Sequence, residues 1–183
     1  MKTIDCIKSR KSVRKFLDKE VSDDVIMKLF NSAIQAPYGG GPRVEAQLWE
    51  FILVKNNEIK DKLTLGDKDR KFVKEAPIVI VVCADKNKDP KYKNWDISMA
   101  LAIENLLLLA HDLGLGACYV DTYNHHEGHK EDRTKLVQAL NLPNNIELIA
   151  IIPVGYPDPS EKIEKKELRN IKEMIHLDKW NNS

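Results

Sequence analysis

The sequence predicts an α/β (α+β) fold built as a three-layer sandwich, with helices on both faces of a central sheet. Two observations carry this. Short apolar runs rich in β-branched residues alternate along the chain with longer segments whose apolar residues recur at helical spacing. One of the helical segments, over 96–113, is apolar nearly all round, so it must be covered on every side.

Taken in order, the first helix signal lies in VSDDVIMKLFNSAIQAP. Ser22 stands at the N-cap position and Asp23 and Asp24 fall in the electropositive first turn. Val25, Ile26, Leu29, Phe30, Ala33 and Ile34 share one face, and Pro37 forbids continuation. Strands are predicted at Trp49 to Val54 and Ile78 to Ala84, and again at Ala117 to Asp121 and Leu148 to Val154. Between the second and third of these lies the helix from Asp96 to Leu113, with Gly114 placed to close it in a left-handed conformation. A further amphipathic helix runs from Glu131 to Leu140 and stops near Pro143. The 183 residues suit a single domain spanning 1–183, and neither repeats nor low-complexity segments suggest otherwise.

Composition narrows the function. Lys and Arg number 29 against 28 Asp and Glu, a formal charge of +1, so a nucleic-acid surface is not expected as the main purpose. Cys6, Cys83 and Cys118 are odd in number and widely spaced, which predicts reduced, buried thiols rather than a disulfide framework or a zinc site. The opening MKTIDCIKSRK has no continuous apolar stretch of the secretory kind, and Glu104 and Asn105 interrupt the longest apolar tract. A cytoplasmic protein without membrane attachment is therefore expected. His125, His126, Glu127 and His129 look like metal ligands, but no second half-site accompanies them and no metal is expected.

The most chemically specific stretch is SRKSVRKF, where Arg10, Lys11, Ser12, Arg14 and Lys15 set four cations and a hydroxyl within six positions. Guanidinium forks and a small hydroxyl suit phosphate oxygens. The segment resembles the opening of the nitroreductase family, flavin enzymes in which such a stretch grips the phosphate of FMN. The resemblance continues through VSDDVIMKLFNSAIQAP, WEFILV, NWDISMALAIENLLLLAHDLGLGACYVD, AIIPVGYP and KKELRNIKEMIHLDKW, in the family's order.

The resemblance implies the family's sandwich with a mixed sheet, and an intertwined homodimer with FMN at the subunit interface and the long helix in the contact. It implies a phosphate clamp from Arg10, Lys11, Ser12 and Arg14, completed near the carboxyl terminus by Lys166 or Arg169. Pro37, Tyr38, Gly39 and Gln47 would lie along the flavin ring and ribityl chain, with Tyr119 from the strand after the long helix and Gly128 near flavin N5. His176 and Trp180 match the family's tail and are expected to pack it onto the body. The glycine loop departs from the family pattern: Tyr38 replaces a small residue, and several residues are inserted before Gln47.

The implied activity is ping-pong: NADH or NADPH reduces FMN, leaves, and is replaced by a nitroaromatic, a quinone or a similar acceptor. The flavin carries the chemistry and no catalytic side chain is required, although Lys11 or Arg14 could stabilise the anionic reduced ring. Two alternatives stay open: a specialised reaction on the same fold, such as dehalogenation, enoyl reduction or flavin breakdown, and a flavin-binding protein with little turnover.

Overall fold

The computed structural model describes residues 1–38, 47–88, 95–122, 130–163 and 167–180. Among the described residues, five strands form one sheet: β1 (Trp49–Val54), β2 (Ile78–Asp85), β3 (Gly116–Ala117), β4 (Val120–Asp121) and β5 (Ile146–Gly155), in the order β1-β2-β5-β3, with β4 also on β5. Six α-helices of the described residues accompany them: α1 (Thr3–Ser9), α2 (Asp23–Ala33), α3 (Asn57–Leu63), α4 (Phe72–Glu75), α5 (Trp95–Asp112) and α6 (Lys130–Ala139).

The three layers follow from the period-two alternation of β2, whose two faces are both covered. Ile78, Ile80, Val82 and Ala84 join Ile26 and Leu29 of α2 and Met99, Ala102 and Leu106 of α5 in one core. Val79, Val81 and Cys83 point the other way and meet Leu63, Val73 and Leu136 from α3, α4 and α6. β2 is central, paired antiparallel with β1 through Ile52 and Val81 and with β5 through Ile80 and Ile152. A shift in register between Val82 and Cys83 marks a bulge in the second ladder.

The expected mixed sheet takes a particular form. All ladders between the described strands are antiparallel, and the parallel element is a single bridge from Ser12 to Ala117. The strand expected over Ala117 to Asp121 is divided in two, because Pro153 lies opposite the break and has no N–H to donate to the ladder. Ser22 does occupy the N-cap of α2, but its side chain makes no capping bond, and the carbonyl of Ser22 instead accepts from Val25 and Ile26.

Helix α5 ends as expected. Gly114 takes φ 77°, and the N–H of Leu115 reaches back to the carbonyl of Ala110 at 2.8 Å. The helix is covered on one side only: Met99, Ala102, Leu106 and Ala110 are fully buried, whereas Ile97 and Leu101 are 55% and 42% exposed. Ile4 and Ile7 of α1, which packs on α5, are exposed as well. Among the described residues no helix is long and apolar enough to cross a membrane. Cys6, Cys83 and Cys118 are free and buried, and burial pushes the Cys83 thiol up to about 12.

Candidate functional site

The basic segment runs extended beside β3. Val13 donates its N–H to the carbonyl of Ala117 at 3.0 Å, and Val13 itself is buried against Gly116. Further along, Phe16 bridges to Pro157, the N–H of Asp158 reaches the carbonyl of Lys15, and the Glu161 carboxylate accepts the N–H groups of Arg14 and Lys15 at 2.9 and 3.3 Å. The segment is thus fastened on both sides through its own main chain. Glu161 gave no local signal in the sequence, since its role depends on a pairing made far along the chain.

Alternation along the extended backbone sends Arg10 and Ser12 one way and Val13 the other. Arg10 and Ser12 open onto a cavity of about 330 Å³ lined also by Tyr119, Glu104, Ile103 and Leu107. Three of the residues expected at the site therefore converge: Arg10 and Ser12 from the amino-terminal segment and Tyr119 from the link between β3 and β4. The cavity combines a cationic fork, a hydroxyl and a phenol against an apolar wall, a donor set suited to a phosphate attached to a flat organic group. Its volume lies in the range usual for small-ligand sites. Tyr119 donates to Asp121 at 3.3 Å, and burial, followed by the charge and hydrogen bond of Asp121, pushes its phenol up to about 12. Burial raises the Cys118 thiol, opposed by the charge of Arg14 and by a hydrogen bond with the Ser12 side chain.

Other expected residues lie elsewhere. Lys11 is exposed and does not line the cavity. Arg14 is exposed with its guanidinium 5.7 Å from the centre of the Phe72 ring, and Lys15 is drawn to Ser160 and Asp158. Pro37 and Gln47 are exposed, and Tyr38 is half-buried edge-on to Trp49, with ring centres 5.1 Å apart. Arg169 is exposed on the tail. Gly39, Gly128, Lys166 and the cluster of His125, His126, Glu127 and His129 lie outside the described residues.

The tail itself corrects one expectation. His176 and Trp180 stack on each other, with ring centres 4.1 Å apart, and Trp180 is 79% exposed rather than packed onto the body. Leu168, Ile171, Ile175 and Leu177 are exposed too, so the tail displays an apolar face that its own chain does not cover.

Glu104 is the lining residue that sequence reasoning did not assign to the site. Its signal was present as a charge interrupting the apolar run of α5. Its carboxylate lies 3.3 Å from Arg10 Nε.

The three-layer fold agrees with what comparison with known proteins finds. The nitroreductase family model matches residues 7–65 and 64–156. A protein of Methanothermobacter thermautotrophicus, named as a proposed NADH dehydrogenase/NAD(P)H nitroreductase, is 33% identical over 98% of this chain and 88% of its own length. A crystal structure of a similarly named protein from Parabacteroides distasonis superposes with a TM-score of 0.83 at 34% identity, covering 97% of this chain and 98% of the other. The FMN-dependent nitroreductase of Clostridium difficile gives a TM-score of 0.76 at 30% identity, covering 97% and 99%. The chain belongs to the nitroreductase family.

Proposed function

We propose that this oxidoreductase of the nitroreductase family uses FMN and NAD(P)H to reduce a nitroaromatic, a quinone or a similar small acceptor in ping-pong order. The observation that carries the reading is the convergence of Arg10, Ser12 and Tyr119 on one cavity. Bound FMN supplies the hydride and electron transfer.

The residues of the chain bind and orient. Arg10 and Ser12 offer charge-assisted and hydroxyl hydrogen bonds to the phosphate from a backbone already fixed by the bridge to Ala117. Tyr119 keeps its proton across the physiological range, so the phenol stays neutral at the cavity wall with its O–H given to Asp121. Ile103 and Leu107 give the site its apolar floor and exclude water from one side.

The functional unit is a homodimer in this reading. The uncovered faces of α5 and α1 and the apolar tail are surfaces that a second copy would bury, and Arg169 on that tail is the candidate for the remaining half of the phosphate clamp, with Lys166 as its alternative.

The deciding experiment is an absorption spectrum of the purified protein before and after anaerobic NAD(P)H, with the flavin released by heat and identified. A yellow protein holding one FMN per chain, bleached by NAD(P)H and reoxidised by a nitroaromatic, is the expected result. A colourless protein that cannot be reconstituted with FMN overturns the reading.

A further inference from the structure

The carboxylate of Glu104 stands 3.3 Å from Arg10 Nε, on the wall of the cavity that Arg10 and Ser12 share. A carboxylate beside an arginine meant for phosphate has two opposed effects. It attracts the guanidinium, and it repels the incoming dianion while partly neutralising the cation that the dianion needs.

The structure decides between them. The main chain at Arg10 is positioned without help from Glu104: Arg10 closes α1, its N–H bonds the carbonyl of Cys6 at 2.9 Å, and the Ser12 to Ala117 bridge fixes the chain two residues further on. The Glu104 side chain is 48% accessible and that of Arg10 25%, so the pair contributes little to holding either residue. The negative charge is what Glu104 adds. It stands on a helix that is otherwise apolar along this wall, where Ala100, Ile103 and Leu107 are its neighbours.

We propose that Glu104 is an affinity-setting residue that competes with the FMN phosphate for Arg10, so that cofactor binding must break an existing ion pair and the phosphate is held less tightly than Arg10 alone would hold it. This rests on the reading of the cavity as the phosphate site.

The test is a fluorescence titration of the flavin-stripped full-length protein with FMN and, separately, with riboflavin, which lacks the phosphate. Wild type, Glu104→Gln, Glu104→Ala, Arg10→Gln and the Glu104→Gln, Arg10→Gln double variant are compared. Both Glu104 variants are expected to tighten FMN about two- to fivefold, as fits an exposed pair, and to leave riboflavin unchanged. The tightening disappears in the Arg10→Gln background. Unchanged or weaker FMN binding by the Glu104 variants overturns the proposal, and so does an equal gain for riboflavin. Failure of the underlying site reading is separately visible: Arg10→Gln alone would then leave FMN affinity untouched.

Discussion

Replacing Gly116 by alanine tests how the fold and the site are joined. Gly116 has an ordinary backbone conformation, so no strain attends a side chain there; the obstacle is space. A Cβ at this position would lie 2.6 Å from both Cβ and Cγ1 of Val13 and 2.8 Å from its Cγ2. Val13 cannot turn away, because its branched side chain is stiff at χ1 and its N–H is held by Ala117. The basic segment must therefore separate from β3. Overpacking of this kind costs about 1–3 kcal/mol. For a chain of this length that is a fall in Tm of roughly 2–12 °C. Ser12 and Arg14 flank Val13, so the same displacement weakens FMN binding. Thermal unfolding followed by circular dichroism and flavin titration measures both effects. In a Val13→Gly background, where the crowded atoms are gone, the Gly116→Ala change should cost less. A Gly116→Ala protein with wild-type Tm and wild-type FMN affinity would refute the reasoning.

Two further outcomes follow from the titrating groups. Tyr119 should ionise above the ordinary tyrosine range, near the value of about 12 to which burial and then Asp121 push it. An ultraviolet phenolate titration that loses its latest step in Tyr119→Phe, and shifts that step downward in Asp121→Asn, is expected; a Tyr119 step at the usual value contradicts it. His111, whose Nε2 lies 2.7 Å from Ser9 Oγ, is held below the usual imidazole value by burial, then by Arg10 and Lys11, against the opposing charge of Asp112. The unfolded chain takes up this proton near 6.5 and the folded chain only lower, so this group makes stability fall as pH drops below 6.5. His111→Asn should flatten that part of a denaturant-midpoint against pH curve, and an unchanged slope speaks against the assignment.

The elements legible in the sequence were those whose pattern had one physical explanation. Trp49–Val54 and the cores of β2 and β5 are apolar, β-branched and sharply bounded, and α5 is long and closed by Gly114. The short helices α3 and α4 were not anticipated: α3 has seven residues, α4 has four, and the packing of Leu63 and Val73 on the sheet stabilises them more than local propensity does. The split of the third strand depended on Pro153, which stands opposite it in space but far from it in sequence. The site divides in the same way. Arg10 and Ser12 could be read from one short string, and Tyr119 was placed by resemblance. Glu104 was visible as an anomaly in an apolar helix, but only the geometry attached it to Arg10. Glu161 could not be read at all, because its function is to meet backbone N–H groups from the other end of the chain.

The central position of β2 bears on how the chain reaches its native state. β1 precedes it and can pair early, but its other neighbour, β5, is made only after α5, β3, β4 and α6. During synthesis the segment IVIVVCA thus emerges with one edge open and both faces apolar, uncharged and free of proline and glycine. A pairing that must wait for so much intervening chain slows folding and lengthens the time during which nascent chains can associate edge to edge. Expression temperature and chaperone supply should accordingly govern the soluble yield of this protein more than its final stability does.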